Sequence, residues 1–105
     1  MKKNFFLHLA INQKFFYKLY LYYNLYIRNL KYLIKSSYSQ FGEDIFLQKY
    51  FSKDRGFFID IGSHHPFRYN NTFRLYKSGW RGINIDLNKI SIDLFNIMRP
   101  KDINL

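Results

Sequence analysis

A chain of 105 residues allows one small domain, and a hydrophobic fraction of 48%, drawn heavily from ten Tyr and twelve Phe, is enough for a core. With no Cys, disulfides and thiolate metal sites are excluded, and a reducing cytoplasm is compatible with the composition. The formal charge of +10 is uneven: residues 1–42 carry seven Lys or Arg and no acid, whereas residues 43–105 carry ten against seven acids.

Residues 5–35 contain neither Pro nor Gly and predict one long amphipathic helix or two shorter ones. Phe16, Tyr20, Tyr23, Ile27, Leu30 and Ile34 recur in steps of four and three, while Lys14, Lys18, Arg28, Lys31 and Lys35 fall on a separate, broader stripe. Lys14, Lys18 and Arg28 interrupt every window of about 18 to 20 apolar residues, which excludes a membrane span. A signal peptide fits poorly, because the apolar run 5–11 is short and is followed by Asn12-Gln13-Lys14 rather than by small residues. Three uses of the segment stay open. Its aromatic face can pack against the rest of the domain or a partner, or residues 5–35 can meet an anionic membrane surface. Nucleic-acid binding is the third and is disfavoured, since no recognised nucleic-acid module accompanies the basic stripe.

Ser36 to Ser39 form a polar hinge that divides a basic, aromatic-rich extension (residues 1–36) from an α/β domain (residues 37–105). A helix over 43–51 follows, with Glu43 and Asp44 at its positive N-terminus and Ile45, Phe46, Tyr50 and Phe51 available for burial. Residues 57–61 read as a strand that is apolar on both faces, as in a parallel sheet covered on both sides. Asp60 interrupts it one residue from its end, where open α/β sheets place ligands. Gly62 lets the chain turn, and Pro66 keeps His65 out of helical angles. Asn70 or Asn71 caps a short helix running through Lys77, with Phe73 and Tyr76 on one side and Trp80 plugging the space between helix and sheet. A right-handed crossover leads to a second strand over 82–86. A helix over 89–99 with Leu94, Phe95 and Met98 inward is stopped by Pro100, and Asp102 to Leu105 begin a third strand.

The chemistry lies between the first two strands. Asp86 ends the second strand 24 positions beyond Gly62, close to the spacing at which an acidic residue binds the two hydroxyls of an adenosine ribose. The loop Gly62-Ser63-His64-His65-Pro66 has one glycine, not the three that bring a helix N-terminus against a pyrophosphate. A ribose carboxylate without a phosphate cradle suits S-adenosylmethionine. A single D-x-G after an apolar strand is common; the ordered set of strand, D-x-G, helix, strand and Asp is what points to a nucleotide. Two adjacent His on a loop make a poor metal site. One of His64 and His65 fits the lining of the cofactor pocket, and either fits a base for a substrate hydroxyl. Arg68 and Arg74 are either surface charges or holders of an acidic substrate.

The runs YSQFGED, GFFIDIGSHHPFRYNNT and LYKSGWRGINID, between Tyr38 and Asp86, closely resemble the FkbM-like methyltransferases, and the similarity continues through residues 87–105. The resemblance covers about two-thirds of the chain and leaves out residues 1–35. It implies a Rossmann-like fold, S-adenosylmethionine as methyl donor, and a hydroxyl acceptor on a sugar, polysaccharide or secondary metabolite. By analogy Gln40 closes over the methionine end of the cofactor and Leu87 and Asn88 lie beside the adenine. The expected cofactor-binding set is therefore Gln40, Asp60, Gly62, Ser63, His64, Asp86 and Leu87, with the catalytic base unassigned and no metal. A complete domain of this kind has further strands, so the chain reads as the N-terminal portion of a truncated Rossmann-like methyltransferase domain. The reading from another class is a catalytically inactive, membrane-associated interaction module.

Overall fold

The computed structural model describes residues 2–51 and 55–105, with side chains from Asn12 onward. With no helix breaker before Gly42, the chain opens on a long helix α1 (Lys2–Tyr23), a π-helical turn (Asn24–Arg28) and a short α2 (Leu30–Leu33). Asn29 fixes the π turn. Its backbone N–H reaches the Asn24 carbonyl at 3.1 Å, and its Nδ2 donates to the same carbonyl at 2.8 Å and to Asn24 Oδ1 at 3.0 Å. Asn24 and Leu25, three and four residues after Leu21, turn inward with it, and the π turn, which adds one residue to the repeat, brings Asn29 in as well.

This phase corrects the expected packing face. Phe16, Tyr20, Tyr23, Ile27, Leu30 and Ile34 all point to solvent, with Ile27 67% and Ile34 75% exposed, while Leu21, Asn24, Leu25 and Asn29 are buried. Aromatic and aliphatic residues line both sides of this helix, so hydrophobic periodicity has little contrast. The inner face is chosen instead by where Leu21 and Leu25 meet Tyr38, Phe67, Phe73 and Leu94 in the main hydrophobic cluster.

Helix α3 (Glu43–Tyr50) starts after Gly42 and packs on α4 (Phe73–Lys77). Asp44 is fully buried rather than a solvated first-turn acid: it accepts from Ser37 Oγ and the Tyr38 N–H, both at 2.6 Å, and from the Ile45 N–H at 2.9 Å. Phe46, Tyr50 and Phe51, though available for burial, are exposed. Trp80 packs edge-on against Phe51 and covers Gly56, where any Cβ would collide with its ring.

The sheet is three-stranded and parallel in the order β1 (Phe57–Ile61), β2 (Arg81–Ile85), β3 (Ile103–Asn104), and the fold is accordingly mixed α/β. Ile59, Ile83 and Ile103 stand side by side across it, followed by Ile61 and Ile85. Asn70, rather than Asn71, caps α4: its Oδ1 accepts from the Thr72 N–H at 2.8 Å and the Phe73 N–H at 2.9 Å. Asn88 caps α5 (Lys89–Met98) by accepting from the Ile90 N–H at 2.9 Å. Two right-handed crossovers that step the same way along a sheet put both helices on one face. Gly82 and Asn84 are buried on that face. The other face is open, with Phe57, Ile59, Ile61, Ile103 and Leu105 exposed and Ile61 at 79%. Coverage of β1 on both sides, expected from its composition, is thus corrected to coverage on one.

Candidate functional site

The carboxyl ends of β1 and β2 are stitched together by backbone. Gly62 adopts φ +72°, a conformation that favours glycine, and its N–H donates to the Ile85 carbonyl at 2.8 Å. The Ser63 N–H shares that carbonyl at 3.1 Å, and the buried Ser63 hydroxyl lies 3.4 Å from it. Asp86, the next residue, bridges the two loops: Oδ2 accepts from the His64 N–H at 2.9 Å and Oδ1 from the Asn88 N–H at 2.8 Å. That contact holds His64, a non-glycine residue, at φ +65°.

A carboxylate offers about four acceptor positions, so two remain on Asp86 after these bonds. Beside it, the position a Cβ would take on Gly62 has no atom within 4 Å, and Leu87 is fully exposed. The free acceptor positions therefore suit a pair of hydroxyls such as a ribose diol. Gln40 is exposed in a turn docked elsewhere on the same loop, through the Asn70 N–H to the Tyr38 carbonyl at 3.0 Å and Ser39 Oγ to Asn71 Oδ1 at 2.6 Å. No hydrogen bond among the described residues joins Gln40 to Gly62 or Asp86.

Asp60 lies on the covered face, half buried, with Thr72 Oγ1 at 3.5 Å. Burial raises its pKa, the charge of Asp86 adds to that, and Arg99 and Thr72 oppose it. Below it is a group the sequence does not announce. Arg99 is fully buried and paired with Asp102 at 2.8 Å; it also donates to Asn70 Oδ1 at 3.1 Å, Thr72 Oγ1 at 2.9 Å and the Pro66 carbonyl at 3.3 Å. Asp102 in turn accepts from the Gly82 N–H and Asn84 Nδ2, each at 2.9 Å. Burial lowers the Arg99 pKa, and the Asp102 carboxylate works against that shift. The only sequence signal was an Arg and an Asp three residues apart around Pro100, which reads equally well as a helix end and a strand start.

His65 is corrected from candidate base to anchor. Its Nδ1 accepts two backbone N–H groups, from Phe67 at 3.2 Å and Arg68 at 3.0 Å, so that nitrogen carries no proton. Nε2–H therefore donates to Asn24 Oδ1 at 2.9 Å, tying the site loop to the π turn. Burial, with smaller contributions from His64 and Arg68, pushes the ring down to about 3. A histidine so held is not free to take a substrate proton. His64, on the same loop, remains exposed.

Among the described residues, no group of three His, Cys, Asp or Glu could hold a metal ion, and no helix is long and apolar enough to cross a membrane. Comparison with protein-family models, with curated proteins and with solved structures finds no match for this chain.

Proposed function

We propose that the chain forms the cofactor-binding part of a Rossmann-like, S-adenosylmethionine-dependent methyltransferase of the FkbM-like type, acting on a hydroxyl of a sugar, polysaccharide or secondary metabolite. One observation carries the reading: the Asp86 carboxylate, at the carboxyl end of a parallel strand, is bound to the loop that begins with the left-handed Gly62, with acceptor positions to spare. Parallel strands that advance in one direction with their helices on one face are also what the first half of a doubly wound sheet requires.

In this reading Asp86 accepts from the ribose hydroxyls, Gly62 leaves room for close approach, and Leu87 offers apolar surface to the adenine. Asp60 serves the methionine end, while Ser63 keeps the loop in register with β2. Bound S-adenosylmethionine supplies a methyl already activated on a sulfonium, so the protein's main task is alignment. His64 is the imidazole left to take the acceptor proton.

The test is calorimetry with S-adenosylmethionine and its 2′-deoxyribose analogue. Asp86→Ala should weaken cofactor binding about 10- to 150-fold, the range for hydrogen bonds to a charged group. Because Asp86 also holds the loop, the sharper readout is discrimination: the wild type should prefer the ribose cofactor and the variant should not. Equal affinity of wild type and folded variant, or no binding by the wild type, refutes the assignment.

A further inference from the structure

We propose that the outward face of the N-terminal helix docks on an anionic lipid bilayer, lying in the plane of the headgroups. The proposal is independent of the cofactor reading. The inward face of the helix is already committed. Tyr17 donates to Asp93 on α5, Asn24 receives His65, and Leu21 and Leu25 are in the core. With that phase fixed, Phe15, Leu19, Tyr23, Ile27, Leu30 and Ile34 form a continuous exposed stripe along α1, the π turn and α2.

The charges around the stripe are of one sign. At about 100° per residue, Lys18 falls about 60° from Phe15, along one margin, and Arg28 is exposed next to Ile27 in the π turn. At its end Lys31, Lys35 and Arg68 gather on Tyr32, at 5.1, 5.0 and 4.9 Å from the ring centroid, beside the exposed Leu30 and Ile34. No acid occurs in residues 1–42 to neutralise them. Bulky aliphatic and aromatic groups flanked by unneutralised cations match the boundary between acyl chains and anionic headgroups. A second copy of the helix would meet those cations with its own. A nucleic-acid backbone would satisfy the cations and leave Leu19, Ile27 and Ile34 nothing to bury against.

The experiment is co-sedimentation of the full chain with extruded vesicles of phosphatidylcholine, with and without phosphatidylserine. Binding should require phosphatidylserine and be lost as salt rises. Lys18→Gln with Arg28→Gln should weaken it about 30-fold, the effect of two cations near an anionic surface. Ile27→Ser with Ile34→Ser should abolish it, whereas Ile61→Ser, on the open sheet face, should leave it unchanged; circular dichroism confirms that these exposed substitutions leave the fold intact. The proposal is overturned by equal binding to neutral vesicles, by no binding, or by sensitivity to Ile61→Ser alone. It is also overturned if, without lipid, sedimentation velocity shows a dimer that Ile27→Ser dissociates, or if an RNA oligomer displaces the chain from vesicles at low salt.

Discussion

The anchoring role assigned to His65 makes stability depend on pH in a way that can be calculated. The ring is held near pKa 3 in the folded state, against 6.5 when free. The folded pKa is depressed, so below pH 6.5 the unfolded chain binds a proton that the folded chain refuses. Stability is full above 6.5 and falls as pH drops toward 3. At pH 5 the loss is set by the roughly 1.5 units below the free value, and at about 1.36 kcal/mol per unit it comes to about 2 kcal/mol. The figure hardly depends on how far below about 4 the folded value lies. Asp60 acts in the opposite sense, since a carboxyl with a raised pKa regains stability as acid protonates it, so wild type alone gives a mixed slope. His65→Asn separates the two. Asn Oδ1 can accept the Phe67 and Arg68 N–H groups but cannot reach Asn24 or bind a proton. The variant should be about 0.5 to 1.5 kcal/mol less stable at pH 7.5, the worth of one lost bond, because Asn24 Oδ1 loses its imidazole donor but keeps Asn29 Nδ2. Between pH 7.5 and pH 5 the difference should move by about 2 kcal/mol in the variant's favour. Urea unfolding of both proteins at several pH values between about 5 and 7.5 measures this directly. A gap that stays constant across that range would refute the buried, neutral His65 and its bond to the π turn.

Two further substitutions test the packing. Leu25→Ala should cost about 2 to 5 kcal/mol as a core truncation, whereas Ile27→Ala, two residues on, should stay within about 0.5 kcal/mol of wild type; equal effects in urea would mean that the helix phase is wrong. Asp102→Ala should cost about 3 to 5 kcal/mol by stranding the buried Arg99, and a change below about 1 kcal/mol would mean that Arg99 reaches solvent.

The elements near the site were legible because their signals are local. Apolar runs ending at Gly62 and Asp86, an Asn before a short helix and a Pro after a long one all act over a few residues, and each falls where composition placed it. The unread parts depend on residues distant in sequence. Which side of α1 turns inward is decided by Phe67 and Leu94, far along the chain, and the phase beyond it by a π turn that shifts the repeat by one. His65 looked like chemistry because an imidazole on a glycine loop is commonly functional. Its role became visible only with Asn24, 41 positions earlier, at 2.9 Å. Arg99 was hidden for the same reason, since its acceptors come from Pro66, Asn70, Thr72 and Asp102.

That buried network also explains how the site can be positioned with one face of the sheet open. Asn70 receives Arg99 and caps α4, while its Nδ2 grips the carbonyls of Ser63 and His65 at 3.3 and 2.8 Å. Asp102 fixes the start of β3 to Gly82 and Asn84 of β2. The loop after β1, the cap of α4, the end of α5 and the middle of β2 are therefore fastened to one another entirely on the covered side. A charge pair of this kind is a weak source of net stability, because desolvation offsets most of its attraction, but it permits few alternative arrangements of the groups it satisfies. The aliphatic rows through Ile59, Ile83 and Ile103 and through Ile61 and Ile85 point away from that network. Positioning of Gly62 against Asp86 is thus mechanically separate from the open face, and a contact made there reaches the site only through the strands themselves.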